Sequence, residues 1–445
     1  MIKYLAVLFM FVSSVHATDV WIDTHFDQGG PPPYNTTSWN PVRLPLIKAG
    51  GYIGCRDDLN WSLFELSPGV FAEASYKQPF IDDIAAAGLK FVATIAYPPS
   101  FYTNTALTWP LPTDTTHWAQ IMADLPQFCA WLAVTEGPKV AAIEIVNEPN
   151  NISAFAPPQQ GGNLTNLQRL VALTNACQAA VHAVSPSTAV LGMGEQGTAN
   201  ITMLGLGIAP DGITYHPYDD GSFIPERAYE PSFTGYVQFV TAVRAATTIP
   251  IWETERNIST GQQESEYTAA DWNARRILQS WALNVEHTFI YDFIDFQSPS
   301  YQSVYSYYGH PQQTYFVIPR ILSALNGLSG APTKQFTISA ESATFDAADV
   351  LSYVYTVANG KTVGAIWFGN HAAGTFGTTG TCTVQFPLQH THVWAQSEIL
   401  DTLTGLATPI LEPGVANPSL QPQWTYQLTI ANVTVSEDPQ LIIVK

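Results

Sequence analysis

The sequence is poor in basic residues. Lysine and arginine number 17 against 36 aspartate and glutamate residues in a chain of 445, so the formal net charge is −19 at pH 7. Nucleic acids and anionic membrane surfaces bind proteins through basic patches, so we expect neither as a partner. A neutral or weakly charged ligand fits this charge better.

Cysteine is also scarce, and nucleotide-binding and membrane-spanning patterns are missing. The four cysteines, Cys55, Cys129, Cys177 and Cys382, are too far apart to match a zinc pattern. They leave three disulfide connectivities open, and buried free thiols as the alternative. No early strand is followed by a G-x-G-x-x-G or P-loop turn, and no internal apolar run approaches the ~20 residues of a membrane span.

The first residues resemble a signal peptide. Lys3 precedes an apolar run from residue 4 to residue 12, and Val15-His16-Ala17 has the small-x-small pattern of a cleavage site. We therefore expect residues 1–17 to be removed and the mature chain to be secreted, with no membrane contact after cleavage. An uncleaved N-terminal anchor is the alternative.

Residues 18–330 alternate between strand and helix patterns. Eight short apolar segments are strand candidates, and amphipathic stretches separate them: 20–26, 52–59, 90–97, 140–148, 189–195, 212–218, 249–256 and 287–295. This alternation predicts a (β/α)8 TIM barrel, an α/β fold. An open doubly wound sheet is the alternative.

Residues 331–445 show a different pattern. Short segments of alternating polarity, separated by turn residues such as Asn359-Gly360, predict a C-terminal all-β sandwich domain. Such a domain can bind carbohydrate, or it can pack against the barrel and stabilise it; we favour the second.

Functional residues of a TIM barrel lie at the C-terminal ends of its strands. Polar and aromatic residues at these positions are the site candidates: Arg56, Trp61, Tyr97, Asn147, Glu148, His216, Tyr218, Glu255 and Asp292. Glu148 ends the fourth strand and Glu255 the seventh, so their carboxyl groups are expected to face each other. Retaining glycoside hydrolysis needs such a pair, because one acid protonates the leaving oxygen while a carboxylate attacks the anomeric carbon. This chemistry needs no cofactor and no metal.

Four segments resemble those of clan A glycoside hydrolases. Asn147-Glu148-Pro149 is similar to their fourth strand, His216-Pro217-Tyr218 to their sixth, and Trp252-Glu253-Thr254-Glu255 to their seventh. The segment from Arg56 to Trp61, followed by Glu65 and Gly69, resembles their second strand and the turn after it. The chain looks most like family 39, the xylosidase and iduronidase group, whose members also carry a β-sandwich. This resemblance covers nearly the whole chain.

The resemblance implies a role for each matching residue. Glu148 would be the acid/base and Glu255 the nucleophile, while Asn147 would bind the sugar 2-hydroxyl. Arg56 and Tyr218 would keep Glu255 ionised and oriented, and His216 would line the same subsite. Arg256-Asn257 after the nucleophile departs from the glycine or aromatic residue common in the clan.

Two other glutamates compete for these roles. Strand alternation predicts that Glu253 shares the face of Glu255, and only its greater depth argues against it as the nucleophile. Glu144 is expected on the face of Glu148, deeper in the barrel and paired with a neighbour.

The sequence therefore predicts a retaining β-glycosidase acting on an oligo- or polysaccharide. A carbohydrate-binding protein without catalysis and a transglycosylase on the same scaffold are the alternatives. The oligomeric state, the sugar and the linkage are left open.

Overall fold

The computed structural model describes most of the chain. The described residues are 19–24, 36–72, 78–103, 115–148, 164–192, 197–218, 222, 224–227, 235–258, 265–294, 303–305, 310–328, 337–340, 349–357, 361–369, 379–388, 398–409 and 426–444. The expected signal peptide, residues 1–17, and the boundary between residues 330 and 331 lie outside them.

Strands and helices alternate as far as residue 324, and the elements described after residue 336 are strands. The strands are β1 (Asp19–Asp23), β2 (Gly54–Asn60), β3 (Glu65–Ser67), β4 (Val70–Phe71), β5 (Lys90–Ala96), β6 (Val140–Glu144), β7 (Ala189–Gly192), β8 (Gly212–Thr214), β9 (Ile251–Glu253), β10 (His287–Ile290), β11 (Thr337–Ala340), β12 (Val350–Thr356), β13 (Thr362–Phe368), β14 (Gly380–Leu388), β15 (Glu398–Asp401), β16 (Ala407–Pro409), β17 (Tyr426–Val435) and β18 (Gln440–Val444). The α-helices are α1 (Thr36–Ala49), α2 (Gln78–Ala86), α3 (Ser100–Thr103), α4 (Thr115–Thr135), α5 (Leu164–Val184), α6 (Gly197–Gly205), α7 (Tyr236–Ala246), α8 (Glu266–Ala282) and α9 (Gln313–Ala324).

Eight parallel strands close into a barrel in the order β1-β10-β9-β8-β7-β6-β5-β2. The pairing of Ile22 with Cys55 and of Asp23 with Arg56 joins β1 to β2 and completes the ring. All eight strand candidates are barrel strands, so the predicted TIM barrel is confirmed and the open sheet is wrong. Several strands end earlier than predicted, β6 at Glu144 and β9 at Glu253, because the chain leaves the ladder where it builds the rim.

The barrel interior is layered. An apolar layer contains Trp21, Val92, Ala142, Leu191, Trp252 and Phe289. Since side chains of a strand alternate between its two faces, the next inward positions lie two residues further on. Four of those positions hold buried polar residues, namely Asp23, Thr94, Glu144 and Thr254. The apolar layer thus forms the floor of a polar layer that opens toward the C-terminal rim.

The C-terminal strands form two antiparallel sheets. One has the order β11-β14-β17 and the other β12-β13-β18-β15-β16. Side chains from both sheets share one apolar core that includes Ile366, Phe368, Val384, Val433 and Ile442. The predicted β-sandwich is confirmed.

The sandwich packs directly on the barrel through α8. The Tyr355 hydroxyl donates to the Leu278 carbonyl at 2.7 Å, and Trp367 Nε1 donates to Glu226 Oε1 at 2.8 Å. Glu226 also pairs with Arg275 of α8 at 2.6 Å. These buried contacts support the interpretation of the sandwich as a stabilising partner of the barrel.

All four cysteines are buried free thiols, so none of the possible disulfides forms. Among the described helices, none combines the length and the apolar character needed to span a membrane.

Candidate active site

Arg56 is the centre of the polar layer. Its guanidinium donates through Nε to Glu144 at 2.6 Å, through Nη1 to Asp23 at 3.0 Å and to Glu255 at 2.7 Å, and through Nη2 to Asn147 at 2.8 Å. Four of its five N–H groups are therefore engaged by residues from β1, from β6 and the turn after it, and from the segment after β9. Arg56 holds these side chains in a fixed arrangement.

Glu255 has a donor on each carboxylate oxygen. Oε1 accepts from Arg56, and Oε2 accepts from the Tyr218 hydroxyl at 3.0 Å. The residue is 7% exposed. Bonds from a cation and a hydroxyl fix the orientation of the carboxylate, as the resemblance implied for Arg56 and Tyr218.

Glu148 is linked to Glu255 through His216. His216 Nδ1 lies 2.8 Å from Glu148 Oε1 and 3.6 Å from Glu255 Oε2. His216 Nε2 lies 3.1 Å from Thr254 Oγ1, and Thr254 donates its hydroxyl proton to Glu144 Oε1 at 2.8 Å. Because that hydroxyl proton is already used, the Thr254 oxygen accepts from His216 Nε2–H.

The carboxylates around the polar layer control its electrostatics. Burial works to lower the pKa of His216, but the charge of Glu255 and the hydrogen bond to Glu148 outweigh it and raise the pKa to about 9. Burial raises the pKa of Asp23 well above its usual range, although Arg56 opposes the shift. At neutral pH, His216 therefore carries a proton between the two glutamates.

The two predicted catalytic carboxyl groups are close together. An oxygen of Glu148, a ring nitrogen of His216 and an oxygen of Glu255 all lie within 4.8 Å of one another. Retaining glycosidases have carboxyl groups about 5–5.5 Å apart, and inverting ones about 6.5–9.5 Å. The upper bound of 4.8 Å between their ligand oxygens is closer to the first of these ranges. The arrangement also brings together three potential metal ligands from three strand ends, where the sequence had predicted no metal site.

The backbone leaves β6 in an unusual conformation. Val146 has φ 65° and Glu148 has φ 41°, in the left-handed region that non-glycine residues rarely adopt. Each such residue costs of the order of 1–3 kcal/mol. Asn147 lies between them with its Oδ1 held by Arg56, so the turn brings Asn147 and Glu148 to the cavity on consecutive positions.

The structure does not bring Trp61 to this cluster. Its indole is 1% exposed and stacks between Tyr102 at 5.0 Å and Phe128 at 6.0 Å between ring centroids. The prediction that Trp61 binds substrate is wrong, because both ring faces are covered by core residues and none is left for a sugar.

Tyr97 and Asp292 lie on the rim. Tyr97 directly follows β5 with φ 50°, and its carbonyl accepts from the Ser62 amide at 3.0 Å. Asp292 is 3% exposed and accepts a hydrogen bond from the Ser303 hydroxyl. Their contact with substrate stays a prediction.

Glu253 does not share the face of Glu255. Its Oε2 accepts from Ser280 of α8 at 2.8 Å and from Thr288 at 2.7 Å, outside the barrel interior. The expected shared face was wrong because β9 ends at Glu253 and the alternation does not continue to Glu255. Glu144, in contrast, is buried on the inward face and paired with Arg56, as predicted.

Three residues of the polar layer were not predicted: Asp23, Thr94 and Thr254. Thr94 donates to Glu144 Oε2 at 2.7 Å, and the other two bind Arg56 and His216. Each lies two positions after a large or branched apolar residue of the barrel floor, and this spacing is the signal that could have identified them.

No protein-family model and no curated protein matches the sequence. Solved structures do match. A family 39 glycoside hydrolase from the gut symbiont Bacteroides cellulosilyticus WH2 has a TM-score of 0.67 at 17% identity, covering 97% of this chain and 82% of that one. A GH30 endoxylanase from Clostridium papyrosolvens C71 has a TM-score of 0.55 at 12% identity and covers 96% of both chains.

A glucosidase from Croceicoccus marinus has a TM-score of 0.55 at 14% identity, over 97% of this chain and 96% of that one. All three matches span both the barrel and the sandwich, which extends the expected resemblance from motifs to architecture. The chain has the two-domain fold seen in these glycoside hydrolases.

Proposed function

We propose that this protein is a secreted retaining β-glycosidase that cleaves an oligo- or polysaccharide, with Glu148 as acid/base and Glu255 as nucleophile. The observation that carries the proposal is the close approach of these two carboxyl groups, within 4.8 Å between their nearest ligand oxygens. Retaining enzymes, whose carboxyl groups lie about 5–5.5 Å apart, use one carboxylate to attack the anomeric carbon directly, and we assign that role to Glu255.

Glu255 has the surroundings of a nucleophile. Arg56 and Tyr218 bind its two oxygens and stabilise the negative charge that attacks the anomeric carbon. The other polar contacts of Arg56, above all that with Glu144, hold the guanidinium in place during the reaction. The covalent glycosyl-enzyme intermediate forms on a carboxylate that two hydrogen bonds orient.

Glu148 and His216 share one proton across their 2.8 Å contact. In the first step this proton passes to the leaving glycosidic oxygen through Glu148. In the second step Glu148 takes a proton from the water that hydrolyses the intermediate. Asn147 has its Oδ1 held by Arg56, and in this proposal its amide N–H groups bind the sugar 2-hydroxyl.

The two alternatives predict different behaviour. A binding protein without catalysis has no need of a paired acid and nucleophile, and here both are present with their supporting contacts. A transglycosylase would use the same intermediate with a sugar acceptor in place of water. Secretion follows from the signal-like segment of residues 1–17 and is part of the proposal.

The test uses Glu255→Ala and Glu148→Ala with aryl β-glycosides and soluble β-glycans, with and without azide. In Glu255→Ala, azide takes the place of the carboxylate and should give a glycosyl azide of inverted configuration. In Glu148→Ala, azide attacks the covalent intermediate and should give the retained configuration. Proton NMR of the products distinguishes the two.

Glu253→Gln is the matched control, because it changes a buried glutamate two positions from Glu255 that binds Ser280 instead of Arg56. It should keep turnover wherever it is folded by circular dichroism. Near-normal activity in Glu255→Ala would overturn the assignment. Glycan binding without cleavage by the wild type would favour the binding protein, and sugar-acceptor products would favour the transglycosylase.

A further inference from the structure

Three potential metal ligands converge at the reaction centre. Among the residues that the structure describes, Glu148, His216 and Glu255 are the one group whose ligand atoms lie within 4.8 Å of one another. Glutamate oxygens and imidazole nitrogen are ligands of zinc-like divalent ions in proteins.

The separations of His216 Nδ1 from the two glutamate oxygens are close to those of ligands around a tetrahedral ion. Bonds of about 2.0–2.1 Å to nitrogen and oxygen place tetrahedral ligands about 3.3 Å apart. His216 Nδ1 lies 2.8 Å from Glu148 Oε1 and 3.6 Å from Glu255 Oε2, so the two separations bracket the ideal one. The third separation, between the glutamate oxygens, is at most 4.8 Å, so an ion draws these two carboxylates toward each other.

The surrounding hydrogen bonds already orient the imidazole. His216 Nε2–H donates to Thr254 Oγ1 at 3.1 Å, and Thr254 donates to Glu144 at 2.8 Å. Metal-binding histidines commonly donate their second N–H in this way, which directs the other nitrogen at the metal. Here that other nitrogen is Nδ1, between the two glutamates.

The local charge favours a cation. Arg56 is surrounded by the carboxyl groups of Asp23, Glu144 and Glu255, and Glu148 adds a fourth acidic group on the other side of His216. Arg56 donates to Glu255 Oε1, and the other carboxylate oxygen, Oε2, is the one that lies near His216. The Glu148 side chain is 25% exposed, which gives solvent ions access.

We propose that Glu148 Oε1, His216 Nδ1 and Glu255 Oε2 bind a zinc-class divalent ion, with water or a sugar hydroxyl in the fourth position. The ion replaces the proton that His216 Nδ1 holds, and that proton leaves to solvent. With the proposed glycosidase function, an occupied site is inactive, because Glu148 cannot protonate a leaving group and Glu255 cannot attack. Divalent transition ions would then be reversible inhibitors that compete with substrate.

The binding test does not depend on turnover. Titration calorimetry with Zn²⁺ and absorption spectra with Co²⁺ should show one saturable site on the wild type, with the strong visible bands of tetrahedral cobalt. His216→Ala should lose the site. Thr254→Val, which removes the support of the imidazole, should weaken binding by about tenfold or more.

His182→Ala is the matched control. His182 Nε2 lies 2.9 Å from Asp211 Oδ2, but it belongs to no three-ligand group in the described part of the chain. This variant should bind the ion like the wild type. If His216→Ala does not fold, Glu148→Gln tests the site instead, because Glu148 is partly exposed. This variant should also weaken ion binding.

Absence of saturable binding by the wild type would overturn the metal site, as would unchanged binding in the folded His216 or Glu148 variant. Neither outcome bears on hydrolysis, which the azide experiment tests separately. Conversely, a metal site in a protein that cleaves no glycoside would leave the site standing and would contradict the glycosidase.

Discussion

Replacing Glu144 by glutamine should destabilise the protein strongly, although Glu144 does not contact the substrate. Glu144 is 0% exposed and accepts from Arg56 at 2.6 Å, from Thr94 at 2.7 Å and from Thr254 at 2.8 Å. Glutamine keeps the shape and removes the charge, so Arg56 loses a buried counter-ion. Its amide NH₂ must also face a donor, either Thr254 or the pair Arg56 and Thr94.

Breaking a buried ion pair by neutralising one partner costs about 3–5 kcal/mol. The Arg56 guanidinium retains Asp23 and Glu255 as acidic partners, so we expect the lower end, about 3 kcal/mol. Protein domains have total stabilities of about 5–15 kcal/mol, so the variant should still fold. It should unfold at a clearly lower denaturant concentration than the wild type.

Urea unfolding followed by tryptophan fluorescence and far-UV circular dichroism measures the loss. Asp82→Asn is the matched control, because Asp82 pairs with Lys139 at the same 2.6 Å but its side chain is 48% exposed. Exposed pairs contribute about 0–1 kcal/mol. Equal shifts in the two variants would refute the reasoning that burial, and not distance, decides what the Arg56–Glu144 pair contributes.

Two further predictions concern residues away from the carboxylate pair. Trp61→Phe should lower the free energy of unfolding by about 1–3 kcal/mol, because Trp61 fills the core against Tyr102. The KM for the glycoside should stay unchanged. A raised KM with unchanged stability would instead show that Trp61 is a substrate ligand. Burial, with Glu437 and Asp401, raises the pKa of Asp438 from 3.8 to about 7. The folded state therefore holds this proton where the unfolded state has lost it, and stability falls as the pH rises from about 4 to 7. Asp438→Asn should reduce that fall by up to about 1.4 kcal/mol per pH unit in denaturation at several pH values, and an unchanged slope would contradict the assignment.

The order of strands and the polar strand ends could be predicted because barrel strands are short apolar runs between amphipathic helices. The strands predicted at β6 and β9 extend beyond the observed ones. At both places the sequence pattern stays apolar or alternating, although the backbone no longer pairs with the neighbouring strands. Sequence periodicity cannot show where hydrogen bonding stops. For that reason the face of Glu253 was predicted wrongly and the positive φ of Val146 was not predicted.

The network around Arg56 was only partly predictable. Motif resemblance identified Asn147, His216, Tyr218 and Glu255, which contact Arg56 or lie beside it. Asp23 and Thr254 were missed because their role depends on the closed ring, which brings together residues far apart in the chain. Trp61 was misplaced because an aromatic residue just after a strand fits a sugar platform and a core equally well from sequence, and only packing separates the two.

The polar layer on the apolar floor of the barrel also affects how the protein folds. Its bonds join residues 199, 110 and 88 positions apart, from β2, β6 and the residues just after β9. A partly formed barrel would leave Arg56 or its acidic partners buried without their counter-charges, so incomplete assemblies of strands are penalised. Contacts of such long range make folding slow, and they make ring closure and formation of the reaction centre one event. A molecule that has not closed the whole barrel therefore has no partial active site.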